Sequence, residues 1–131
     1  MKFELHPNFS EKKVIADLKL CKVLINDTGD FPWLFLIPRQ PNIKQIDQLS
    51  KKDQYLLMDE TAHCSKVMGH LFKTDQLNVA AIGNITPQLH MHIICRHKSD
   101  PYWPDVVWNK PVKTMTKADL DIRINLIKEH I

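Results

Sequence analysis

The chain has 131 residues, of which 44% are apolar and 25% charged, the profile of one soluble globular domain rather than a disordered segment or a multidomain chain. Lys and Arg number 18 against 15 acids, a formal charge of +3. No basic run exceeds the pairs Lys12-Lys13 and Lys51-Lys52, and the only arginines are Arg39, Arg96 and Arg123, which argues against a duplex nucleic-acid binder, because such a protein needs a dense basic face.

Met1 to Lys13 is polar and broken by Pro7, unlike a secretory leader. Lys13 to Asp17 predicts a short strand. Leu20 to Asn26 predicts a second, in which only the face of Lys22 is partly polar, so the strand should be well buried. Asp27-Thr28-Gly29-Asp30 reads as a tight turn. Trp33 to Ile37, closed by Pro38, reads as a central strand, so an antiparallel sheet is expected. Ser50 to Phe72 is the clearest helix. Ser50 can cap it, Asp53 stands three residues later as a variant of the capping box, and Leu57, Cys64, Met68, Leu71 and Phe72 form an apolar stripe. Leu77 to Ile82 and Leu89 to Cys95 predict two further strands, separated at Gly83-Asn84. Arg96 to Pro111 is irregular. Thr116 then caps a final helix whose stripe is Leu120, Ile124, Ile127 and Ile131. Strands, helix, strands, helix predict an α+β fold over residues 1–131. No apolar stretch approaches the ~20 residues of a membrane span.

Residue supply excludes several chemistries. Gly29, Gly69 and Gly83 are too dispersed for a dinucleotide fingerprint or a P-loop. Ser10, Ser50, Ser65 and Ser99 make no Gly-x-Ser-x-Gly elbow. Cys21, Cys64 and Cys95 make no Cys-x-x-Cys, and an odd, unpatterned set fits a reducing compartment. A cytoplasmic location is therefore expected, and the triplets starting at Asn8, Asn26 and Asn84 read as chance glycosylation matches.

The remaining signal is Gln88-Leu89-His90-Met91-His92-Ile93-Ile94. A period of two puts Gln88, His90 and His92 on one face, roughly 6.5–7 Å apart, with Leu89, Met91 and Ile93 toward the core. Three accounts fit. The face could be exposed and merely polar. An imidazole could act as a nucleophile on phosphorus, with its second nitrogen held by an acceptor that fixes the tautomer. His-x-His could also be a metal pair. That usually needs a carboxylate a few residues on, and none occurs before Asp100.

Pro87 to Ile94 resembles the signature of the histidine triad family, in which His alternates with apolar residues. Asn78 to Asn84 resembles the strand and phosphate loop before that signature, and Leu24 to Pro38 resembles the N-terminal hairpin of Hint- and Fhit-type members. The long helix between them fits as well, so the resemblance covers roughly residues 13 to 98. The stretch Asp100 to Trp108 is also similar to bacterial hydrolase members of the family.

The resemblance implies a five-stranded antiparallel sheet with one long helix and a C-terminal helix. It implies a two-fold homodimer that joins the sheets, and cleavage of a dinucleoside polyphosphate or an AMP conjugate at the α-phosphorus. His90 would be the nucleophile, leaving a nucleotidyl-histidine, and His92 would contact phosphate oxygens. Gln88 stands where the family has its first His. Gln cannot titrate, so it cannot serve as a general acid. A nucleotide-binding module with little turnover is the alternative. Asn26 matches a ribose contact, and Asn78, Gly83 and Asn84 match phosphate-side positions. Where the family usually has a small hydroxyl residue one step later, this chain has Ile85, so that contact is either lost or moved to Thr86. Where many members have Gly-His, this chain has Trp33-Leu34. The protein residues require no metal, although Mg²⁺ can accompany a polyphosphate. Tyr102, Trp103 and Trp108 could stack on a base or pack the C-terminal segment. Arg96 and His97 could reach a leaving-group phosphate.

Overall fold

A computed structural model describes residues 1–131. Five strands form one antiparallel sheet in the order β1-β2-β3-β5-β4. They are β1 (Lys13–Asp17), β2 (Cys21–Ile25), β3 (Trp33–Pro38), β4 (Gln76–Ala81) and β5 (Met91–Arg96). Helix α1 (Lys51–Phe72) connects β3 to β4, and α2 (Lys117–Lys128) closes the chain. The expected fold class is thus observed, with strand limits displaced by one or two residues. Gln88, Leu89 and His90 run up to β5 rather than within it.

The two helices cover one face only. There Val23, Ile25, Leu34, Leu36, Ile93 and Cys95 pack against Leu57, Cys64 and Met68 of α1 and against Ile124 and Ile127 of α2. The opposite face carries Leu24, Trp33, Phe35, Ile37 and Ile94. It is covered by Phe9 from the N-terminal segment and by Val107, with Tyr102 and Trp108 beside it. Burial on both faces explains the near-continuous apolar runs of β2, β3 and β5, whose residues are almost all buried.

Local chemistry sets the helix starts. Ser50 accepts from the Asp53 N–H at 3.2 Å, and Thr116 accepts from the Asp119 N–H at 3.2 Å, each satisfying one of the orphan donors of a first turn. The reciprocal half of the box is missing at α1, because the Asp53 carboxylate accepts from Gln40 Nε2 instead. The connection from β2 to β3 is not the tight turn expected. Residues 26–32 form a longer loop pinned by the C-terminal segment. Gly29 N–H donates to the Lys113 carbonyl at 2.7 Å, and Met115 N–H donates to the Asp27 carbonyl at 2.7 Å. No helix is long and apolar enough to cross a membrane.

Candidate active site

His90 and His92 lie on the face that lacks helices, and each is only 5% exposed. The exposed polar face is therefore not what forms. His92 sits mid-sheet, paired with Phe35 on β3 and Ala80 on β4. His90 precedes it, and the ring centroids are 4.7 Å apart. Phe9 and Phe35 stand edge-on to His90 at 5.2 and 6.1 Å. The segment before β5 is itself held in place, since Leu89 N–H donates to the Ile43 carbonyl at 2.9 Å.

Hydrogen bonding fixes which nitrogen of each ring carries a proton. His90 Nδ1 is 2.6 Å from the Gln88 carbonyl. A carbonyl only accepts, so Nδ1 donates and Nε2 keeps a free lone pair in the neutral ring. His92 is the reverse. Trp33 Nε1–H donates to His92 Nδ1 at 3.1 Å, which puts the neutral ring's proton on Nε2. Burial lowers the His90 pKa, partly offset by the Gln88 carbonyl. Burial, and then the neighbouring His90, lower that of His92 to about 4. The Ile82 carbonyl favours the charged form of His92 without completing a bond to Nε2.

Both rings line a cleft of about 470 Å³. Its walls include Asn84 and Thr86 from the loop before β5, Lys12 from the N-terminal segment and Trp108 from the long loop after β5. Lys12 is the one fully charged side chain of that lining. Its Nζ lies 3.9 Å from the Asp27 carboxylate, a loose pair. Two N–H donors beside the cleft are sealed and lack an acceptor, His92 Nε2 and Trp108 Nε1. An anionic ligand rich in acceptors would satisfy such donors.

The structure distributes the remaining expected residues unevenly. Asn84 lines the cleft. Gly83 lies on the same loop at a tight turn, where an added Cβ would come within 3.2 Å of the Thr86 carbonyl. Gln88 serves His90 through its backbone, while its carboxamide turns to the N-terminal segment. Its Oε1 accepts from His6 N–H at 2.9 Å, and its Nε2 donates to the Glu4 carbonyl at 2.8 Å. Asn26 follows the end of β2, is outside the cleft lining and forms a local turn, accepting from Thr28 N–H at 3.3 Å. Asn78 accepts from Arg96 Nη1 at 2.8 Å and is outside the cleft lining.

Arg96 is 1% exposed and paired with Asp100 at 2.8 and 3.1 Å, with Trp103 under its guanidinium at 5.7 Å. His97 is bonded to the Phe72 carbonyl at 2.8 Å. Neither is placed to reach a leaving group. The aromatic trio divides as well. Tyr102 stacks on Phe31 and Trp103 packs on Arg96, whereas Trp108 stands against His92 at 5.3 Å. His90 and His92 have no third His, Cys, Asp or Glu grouped with them as metal ligands. Lys12 and Phe9 carry no local motif that would have marked them. Only their distant contacts bring them to the cleft.

Residues 8–99 match the HIT domain. No curated protein matches the sequence. A histidine triad protein from Bradyrhizobium japonicum is 35% identical, with 100% of this chain and 99% of that chain covered at a TM-score of 0.96. One from Marinobacter aquaeolei is 33% identical, with both chains covered at 100% and a TM-score of 0.92. A diadenosine triphosphate hydrolase from Plasmodium falciparum shares the fold at 22% identity and a TM-score of 0.64, covering 93% of this chain and 85% of that chain.

Proposed function

The chain belongs to the HIT family, and we propose that it cleaves a nucleoside phosphate at the α-phosphorus through a nucleotidyl intermediate on His90. The observation that carries this reading is the 2.6 Å bond from His90 Nδ1 to the Gln88 carbonyl. It keeps Nε2 deprotonated and aligned while burial keeps the ring neutral. Nε2 attacks phosphorus and a P–N bond forms. The P–O bond to the leaving group breaks, and that group departs with the electron pair. The ring becomes cationic, and the Gln88 carbonyl faces the proton on Nδ1. Water then attacks phosphorus, the P–N bond breaks, and Nε2 recovers its lone pair as the water proton is released. The buried N–H of His92 and the ammonium of Lys12 supply donors for phosphoryl oxygens.

The leaving group follows from what the cleft lacks. Gln88 cannot protonate a departing atom, and its carboxamide is already bonded elsewhere. A group that leaves as a stable anion, such as the polyphosphate arm of a dinucleoside polyphosphate, fits better than an amine, which needs a proton. Mg²⁺ enters this reading only as the companion of such a polyphosphate. The commitment of Gln88 to the N-terminal segment also favours a second reading, a nucleotide-binding module with little turnover.

Edge strand β4 has no partner on its outer side, and Val79 on it is exposed. A second copy pairing there would continue the sheet, and the mass in solution tests that homodimer.

The deciding experiment follows AMP release from diadenosine polyphosphates and from adenosine phosphoramidate, with wild type beside His90→Ala. Release by wild type alone, with an adenylyl adduct on the intact protein, is the expected result. Equal release by both proteins overturns the mechanism. AMP binding with no release by either favours the second reading.

A further inference from the structure

We propose that Trp33 is a positioning residue that holds His92 in a single tautomer, so that the ring offers a permanent Nε2–H donor to a phosphoryl oxygen. The ligand half of this proposal rests on the phosphoryl-transfer reading above. The tautomer half rests on geometry alone. An indole nitrogen is a donor and never an acceptor. The Trp33 Nε1–H bond to His92 Nδ1 at 3.1 Å therefore requires a lone pair on Nδ1. Both side chains are buried, so water does not compete for either atom.

The consequence falls on Nε2. It carries the proton and is sealed from solvent, and the neighbouring Ile82 carbonyl does not complete a hydrogen bond to it. Trp108 Nε1–H is likewise sealed and unbonded, on a ring that meets His92 at 5.3 Å and 86°. Two donors without a completed protein hydrogen bond thus stand in adjacent rings of one wall. A phosphoryl oxygen that displaces the side chains sealing them would satisfy them. The opposite tautomer would do the reverse. It would aim Nδ1–H at the Trp33 N–H and present a lone pair to an anion. Without the indole, the ring would divide between the two forms. His90 and His92 are thus set to opposite tautomers by opposite partners, a carbonyl and an indole. One ring is left as a nucleophile and the other as a donor.

Proton–nitrogen correlation spectra of the imidazole rings read this directly on the whole chain without nucleotide. The expected spectrum shows His92 protonated at Nε2 with an unprotonated, hydrogen-bonded Nδ1, and His90 the other way round. Trp33→Phe keeps an aromatic ring in the wall and removes the donor. It is expected to mix the His92 tautomers, to leave His90 unchanged, and to weaken AMP binding about tenfold. A wild-type His92 with its proton on Nδ1 overturns the proposal, as does a Trp33→Phe spectrum with unchanged His92 signals. If Trp33→Phe does not fold, the wild-type spectrum still decides. A wild type that shows the expected tautomers but binds no AMP removes the phosphoryl-transfer reading and the ligand half with it, leaving the positioning role of Trp33 in place.

Discussion

At the scale of single residues, His90 and Gln88 should separate chemistry from architecture. His90→Ala removes the nucleophile and is expected to lower AMP release at least a thousandfold, about 4 kcal/mol of barrier, with the fold retained by circular dichroism. Gln88→Ala leaves the backbone carbonyl that orients His90 and deletes the two bonds to Glu4 and His6. It should cost roughly 1–2 kcal/mol in chemical denaturation and expose the first residues to protease, while turnover changes less than threefold. A large loss of turnover at unchanged stability would instead give the carboxamide a direct role. The sequence showed that His90 and His92 share a face, because a period of two is a local property. It could not show where the Gln88 amide goes, because its partners lie more than 80 residues away in sequence. The same limit applies to Asn78 and Arg96. Their types suit phosphate binding, but Asp100 and Trp103 bury the guanidinium in a structural knot. It applies in reverse to Lys12 and Phe9, which have no motif and reach the cleft through tertiary packing.

At the scale of elements, the least visible contribution comes from the middle of α1. Its apolar stripe is readable from sequence, yet two of its buried residues, Glu60 and Thr61, are polar. The Glu60 carboxylate accepts from Leu20 N–H at 2.9 Å and Cys21 N–H at 2.8 Å. It thereby ties the helix to the corner between β1 and β2. Glu60→Ala would leave two buried backbone donors without partners, and a loss of about 2–4 kcal/mol is expected in urea unfolding. Glu60→Gln retains one acceptor oxygen and should lose about half as much. Equal and small losses for both variants would mean that water replaces the carboxylate and that α1 is held by its apolar contacts alone. Periodicity missed this tie because a helix stripe is counted in apolar residues. The strands were legible for the converse reason, since continuous apolar runs bounded by Asp, Pro and Gly read as buried strands. The loop of residues 26–32 was misread as a tight turn because its shape is set by Lys113 and Met115, far beyond any local window.

At the scale of the whole molecule, the buried histidines couple stability to pH. The folded pKa of His92 is about 4 against an ordinary value of 6.5, with burial as the main cause, and burial lowers His90 in the same direction. Between those pH values the unfolded chain binds a proton that the folded chain refuses. Stability therefore rises with pH across the window and is lost as pH falls from about 6.5 to 4. For His92 alone the loss is about 3 kcal/mol. Asp100 acts in a lower window and for a different reason. Burial alone would raise it, but the Arg96 bond and the His97 and Tyr102 N–H groups outweigh burial and bring it to about 2 from 3.8. Its contribution is complete above pH 3.8 and disappears as pH falls toward 2. Acid should thus weaken the fold in two stages, first at the cleft and then at the Arg96–Asp100 knot. Urea unfolding measured from pH 7.5 to 2.5 would resolve them. His92→Gln keeps an acceptor for the Trp33 indole and cannot titrate, so it should flatten the upper stage to what His90 contributes and leave the lower one intact. If wild-type stability were flat from pH 6.5 to 4, neither ring would be held neutral by the fold. The cleft would then have to admit enough water for both imidazoles to titrate normally, and the sealed donors of His92 and Trp108 would already be satisfied without any anion.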